Sequence, residues 1–172
     1  AENDCTICNA GEYQDQVGQS SCKDCIAGTY NANDNTNVGN HDALADCDVC
    51  ASGKYQNQVK QTSDTCIACV IGKIGKAGTT AADHDAENDC TICNAGLYQD
   101  QVSQSVCKDC EVGRANANDN TNVGNHDALS DCGICNAGEY QDDAGQASCK
   151  DCIAGTFNAN DNTNVGNHDA LA

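Results

Sequence analysis

All sixteen cysteines of this 172-residue chain stand in Cys-x-x-Cys pairs. The eight pairs are Cys5/Cys8, Cys22/Cys25, Cys47/Cys50, Cys66/Cys69, Cys90/Cys93, Cys107/Cys110, Cys132/Cys135 and Cys149/Cys152. No other feature constrains the fold as strongly, because little else here can hold a fold together. There are six aromatics and no Trp, Met or Pro. Cysteine reaches the roughly 8–10% level that marks a cross-linked scaffold. Without cross-links, so few apolar side chains and so much charge would read as disordered. A disulfide closing each loop would contribute on the order of 3 kcal/mol, mostly by restricting the unfolded chain.

The pairs keep a beat. The first cysteine of alternate pairs falls at 5, 47, 90 and 132, in steps of 42, 43 and 42, and a longer period of 85 fits better still. This is the signature of a repeat array. The expected repeats are residues 1–43, 44–86, 87–128 and 129–172. Each holds a short cysteine-bounded loop and a long one. Glycine occupies the third place after the second cysteine of every pair (11, 28, 53, 72, 96, 113, 138 and 155), which suits a tight turn at positive φ. Two places later stand Tyr13, Tyr30, Tyr55, Ile74, Tyr98, Ala115, Tyr140 and Phe157, so every aromatic lies in this one slot. The rings are expected to cover the adjacent disulfide. Regular structure should be sparse: strands of two or three residues around Gly-x-Tyr-Gln pair with the returning Ser-x-Cys as small hairpins. One helical turn is expected in His-Asp-Ala-Leu-Ala-Asp. The fold class is therefore small, disulfide-rich and mostly irregular with short β-hairpins, arranged as an elongated tandem-repeat rod.

Zinc competes with disulfides for the cysteines. Four double Cys-x-x-Cys clusters with spacers of 13, 15, 13 and 13 residues approach zinc-ribbon spacing. Three features favour disulfides. Both kinds of gap open with the same Cys-x-x-Gly text, the surroundings are acidic rather than basic, and an aromatic core is lacking. Thioredoxin-like chemistry needs a single exposed pair on a βαβ scaffold, unlike eight equivalent pairs. Connectivity is open between two patterns. One joins first to third and second to fourth cysteine inside each unit. The other joins neighbours across each loop: Cys8–Cys22, Cys25–Cys47, Cys50–Cys66, Cys69–Cys90, Cys93–Cys107, Cys110–Cys132 and Cys135–Cys149. The second is favoured, since it makes every segment one closed loop. It leaves Cys5 and Cys152 needing partners outside this segment, and the chain is expected to be part of something longer.

The loop Cys-x-x-Gly-x-Tyr...Cys-x-x-Cys resembles the ephrin-receptor-like, or GCC2/GCC3, cysteine-rich repeats. It is also similar to the first module of tumour-necrosis-factor-receptor cysteine-rich domains, in which flanking cysteines pair with each other. Those repeats carry Pro after the second cysteine, where this chain has Asn, Ile, Ala, Val or Glu. Expanded arrays with Asn/Asp-rich long loops are similar to extracellular filament and mastigoneme proteins of algae and other protists. That resemblance implies an extracellular or cell-surface structural role.

A net charge of -18 leaves no basic surface for nucleic acid or anionic lipid. No apolar run reaches the roughly 20 residues of a membrane span; the longest, around Cys66 to Ile74, is interrupted by Gly72 and Lys73. Each long loop but the second carries Asn-rich text, first at 31–42 and again at 116–127 and 158–169. Alternate oxygens at Asn31, Asn33, Asn35 and Asn37, with Asp42, suggest a weak calcium loop; the competing reading is an Asn-rich turn whose side chains bond their own backbone. Calcium is the one cofactor suggested. The four histidines (41, 84, 126 and 168) precede Asp without a nucleophile beside them, and read as loop residues. No enzyme is expected. Serine and threonine leave room for O-glycans. The expected function is a structural component of an extracellular filament that assembles with itself into a fibre. The alternative is a ligand-binding or adhesive receptor ectodomain.

Overall fold

The computed structural model describes residues 4–160 and 162–170. Seven disulfides join Cys8–Cys22, Cys25–Cys47, Cys50–Cys66, Cys69–Cys90, Cys93–Cys107, Cys110–Cys132 and Cys135–Cys149. Short loops span 14 or 16 residues and long ones 21 or 22. Cys5 and Cys152 are free thiols.

Each disulfide-closed loop contributes a two-strand antiparallel hairpin. The described hairpins pair Glu12–Tyr13 with Lys23–Asp24, Thr29–Tyr30 with Asp48–Val49, Lys54–Tyr55 with Ile67–Ala68, Lys73–Gly75 with Cys90–Ile92, Leu97–Tyr98 with Lys108–Asp109, Arg114–Ala115 with Gly133–Ile134, and Glu139–Tyr140 with Lys150–Asp151. The returning strand differs from expectation. It is built mainly from the two residues inside a Cys-x-x-Cys pair, not from the Ser-x-Cys before it. The joint between loops is therefore itself a strand, and the cysteines on either side face opposite neighbours, as the pleat demands. The eight glycines after the pairs all have φ between 77° and 91°. This left-handed turn opens each hairpin, and a Cβ there would be strained.

The helical element is smaller than a full α-turn. Single 3₁₀ turns cover Leu44–Asp46, Glu87–Asp89 and Leu129–Asp131 just before a cysteine pair. A further set precedes each histidine: Val38–Asn40, Ala81–Asp83, Val123–Asn125 and Val165–Asn167.

The contacts divide the chain into two compact units, Ala1–Cys69 with Gly75–Cys90, and Val70–Ile74 with Thr91–Ala172. Each core is small and cystine-rich. In the first, Tyr13 packs on Cys25 and Cys47; in the second, Tyr98 packs on Cys110 and Cys132. The ring thus covers the disulfide of the following loop. The slot is not uniform. Tyr13 and Tyr98 are buried and Tyr30, Tyr55 and Tyr140 half-buried, whereas Phe157 is 86% exposed.

Candidate functional site

Directly after the aromatic slot comes an amide side chain in seven of the eight loops: Gln14, Asn31, Gln56, Gln99, Asn116, Gln141 and Asn158. An amide both donates and accepts, and these use both halves. Gln99 donates to the Val106 carbonyl at 2.7 Å while its oxygen accepts from the Gln101 backbone N–H at 3.0 Å. Gln141 does the same with Ser148 and Asp143. In the long loops Asn31 donates to the Asn40 carbonyl and accepts from the Asn33 N–H, both at 2.9 Å. Asn116 and Asn158 repeat this with Asn125 and Asn118, and with Asn167 and Asn160. Each amide clasps its own loop shut from inside. The sequence signal for the clasp is the amide repeated one place after the aromatic slot.

The histidines are the most deeply buried large side chains, at 2% exposure or less. Each reaches from a long loop to the strand of the preceding short loop. The His41 Nδ1 lies 2.9 Å from the Glu12 carbonyl oxygen and its Nε2 2.9 Å from that of Asp34. His84 holds Lys54 and Gly78 in the same way, and His126 holds Leu97 and Asp119. His168 Nδ1 lies 3.0 Å from the Glu139 carbonyl. The main chain answers: Gln14, Gln56, Gln99 and Gln141 each donate a backbone N–H to the histidine carbonyl, at 2.7 or 2.8 Å. An imidazole with both nitrogens against carbonyls is a polar rivet. It has no access to solvent and faces no nucleophile.

A second joint runs from one long loop in each unit to the short loop after it. The turn Val59–Gln61 sits against Gly11, Cys25 and Asn31. The Lys60 N–H donates to the Cys25 carbonyl at 2.8 Å, and the Asn31 N–H to the Gln61 carbonyl at 3.0 Å. A Cβ on Gly11 would come within 2.8 Å of the Lys60 oxygen, so the turn occupies the space a side chain would need. The second unit repeats the joint. Gly145 donates to Cys110 at 2.8 Å, Asn116 donates to Gln146 at 3.1 Å, and the Gly145 carbonyl lies over Gly96. Lysines of the returning strands add exposed ion pairs, Lys23 with Asp15, Lys108 with Asp100 and Lys150 with Asp142. The hydrogen bond from Lys23 holds the Asp15 carboxyl below the usual carboxylate range, and that from Lys150 does the same for Asp142.

A family model described as tyrosine-protein kinase ephrin type A/B receptor-like matches residues 1–38, 78–122 and 124–164, well over half of the chain. The chain belongs to this ephrin-receptor-like family. No curated protein matches it. The ephrin-receptor-like repeats and the density of disulfides point to an extracellular or cell-surface setting. Repeats of this type form non-catalytic ectodomains. Among the described residues, no helix is long and apolar enough to cross a membrane.

The ephrin-receptor-like chain uses its Asn-rich loops mostly on itself. The oxygens of Asn31 and Asn37 accept from the backbone of Asn33 and Gly39, and that of Asn33 accepts from the Asn40 side chain at 3.3 Å. Asn35 and Asp42 are exposed on the surface. Fourteen cysteines are consumed in disulfides, which leaves no four-thiolate zinc cluster among them. No group of three or more His, Cys, Asp or Glu is placed to hold a metal ion among the described residues.

Proposed function

We propose that this chain is a structural component of an extracellular filament or surface appendage, built from disulfide-laddered tandem repeats. One observation carries the reading: the joints that tie one loop to the next recur in both units with the same partners and nearly the same distances. The histidine rivet and the docked turn are rules of addition, and a polymer needs such rules. Electron microscopy of the purified, oxidised chain is expected to show regular fibres. Monodisperse single copies at high concentration would reject the proposal and favour a ligand-binding or adhesive ectodomain. Calcium in the Asn-rich loops is a separate proposal, supported by the exposed Asn35 and Asp42. Calorimetric titration with calcium should then show saturable heat that Asp42→Asn weakens.

A further inference from the structure

The long loops differ at one place, the fourth residue after the cysteine that opens them. Lys73 and Arg114 hold it in the second and third long loops, and Thr29 holds it in the first. In the second unit Arg114 stands opposite Ile134 of the returning strand, and its side chain is only 19% exposed. Its Nη1 donates to the Cys132 carbonyl at 2.8 Å and its Nε to the Glu111 carboxylate at 3.1 Å. Thr29 stands opposite Val49 in the same register, but it is short and turns back, its hydroxyl donating to the Ile26 carbonyl at 2.7 Å. The place that Arg114 takes up in one unit is therefore left open in the other.

A groove of about 440 Å³ occupies that place. Ile26, Leu44, Val49 and Ala81 give it apolar walls, and all of it lies within the first unit. Leu44 and Val49 are the counterparts, 85 positions earlier, of Leu129 and Ile134. Its polar lining holds two acceptors of the kinds that Arg114 uses. The Cys47 carbonyl, counterpart of that of Cys132, has no donor among the described residues. The carboxylate comes from Asp48 in place of Glu111. Asp48 lines the groove, is exposed and makes no ion pair among the described residues.

We propose that this groove receives an arginine side chain from a partner protein, the stem along Ile26 and Leu44 and the guanidinium on the Cys47 carbonyl and the Asp48 carboxylate. The second unit shows the occupant, because there the chain fills the equivalent place with its own arginine. The physical fit is the same. An arginine stem packs on apolar walls while its head stays polar. Its planar fork of donors reaches two acceptors at once, which the point charge of a lysine does not fix. A net charge of -18 draws a basic partner and steers its approach. A second copy of this chain is not the source, since Arg114 is its single arginine and is already held by Glu111 and Cys132. The inference goes beyond the filament reading and does not depend on it.

The test titrates the oxidised 172-residue chain with acetyl-Leu-Arg-Leu-amide and with its lysine twin, followed by methyl NMR. Saturable shifts at Ile26, Leu44 and Val49 are expected with the arginine peptide, and binding of the lysine twin about fivefold weaker or more. Thr29→Arg, which supplies the missing side chain in cis, should abolish these shifts. Thr29 is buried, so a second variant guards against misfolding. Ile26→Lys, at a site 46% exposed, places a like charge beside the guanidinium and should weaken binding about tenfold or more. Shifts spread over the acidic surface without preference for arginine would overturn the proposal, as would undiminished binding to Ile26→Lys. Fibres seen by microscopy with no arginine site would reject this inference alone, and an arginine site on chains that stay single would reject the filament reading alone.

Discussion

Two of the long loops solve one problem with different residues. The loop closed by Cys25 and Cys47 and the loop closed by Cys69 and Cys90 each bury a histidine against the preceding strand, His41 on Glu12 and His84 on Lys54. Around His41 the chain uses Asn31 as a clasp and Asn37 as a cap. Around His84 the same places differ. Gly75 replaces the clasp, and the Thr80 hydroxyl and Asp83 carboxylate replace the cap, 2.6 Å apart. The difference separates what the long loop requires from what it merely uses. The rivet is common to both; the Asn-rich text is one of two ways to present it.

Removing the disulfides tests the comparison with the largest effect. Replacing Cys25 and Cys47 with serine, or Cys69 and Cys90, should cost about 3 kcal/mol in either case, because the spans are nearly equal. Hydrogen exchange should distinguish them. The loop with Asn31 is expected to keep protection around Asn33 and Asn40, and the loop with Gly75 to lose it throughout.

Histidine truncation comes next. His84→Ala should lower stability by about 2–3 kcal/mol in urea denaturation, since a fully buried ring is lost and one of the Lys54 and Gly78 carbonyls loses the donor its imidazole supplies. His41→Ala should cost less, about 1–2 kcal/mol, because the Asn31 amide stands 3.4 Å from the ring nitrogen and can turn toward the freed carbonyl. Equal losses would show that the clasp does not share the load.

Exchanging the clasp residues should fail in both directions. Asn31→Gly is expected to cost about 1–2 kcal/mol for the lost hydrogen bonds to Asn40 and Asn33. Gly75→Asn should not restore a clasp, because its Cβ would lie 2.6 Å from the Gly53 Cα and push two loops apart. Thermal melts of both variants decide this.

The smallest effect is in acid. Asp89 is buried, which opposes its charge, but hydrogen bonds from Lys76 at 2.7 Å and from the Ala86 N–H outweigh burial and hold its carboxyl below the usual range. A carboxyl lowered in the folded state stabilises above its ordinary value, near pH 4, and that stability is lost as pH falls below it. The contribution should be no more than about 1 kcal/mol, because Lys76 is half exposed and screened. Asp89→Asn should flatten this acid limb in melts taken from pH 5 to 2.

Much of the fold was legible. Cysteine spacing set out the short and long loops, and the repeated glycine announced the left-handed turns seen at all eight places. The aromatic slot was legible as a slot, but not as buried in one loop and open in another. Tyr13 is buried against Cys25 and Cys47, whereas Tyr30, in the same slot of the next loop, is half-buried. The histidines read as bland loop residues because a rivet is invisible until its target is known, and Glu12 lies 29 positions from His41.

The sequence by itself determined which segments close on themselves, because loop length and glycine placement are local properties of the chain. Only the tertiary structure decided what each loop holds. Burial of a histidine, a glutamine or a bare turn is summed over neighbours from other loops, and a main-chain carbonyl looks the same at every residue. That is why the cysteine ladder could be read in advance, while the rivets and cradles that couple its rungs could not.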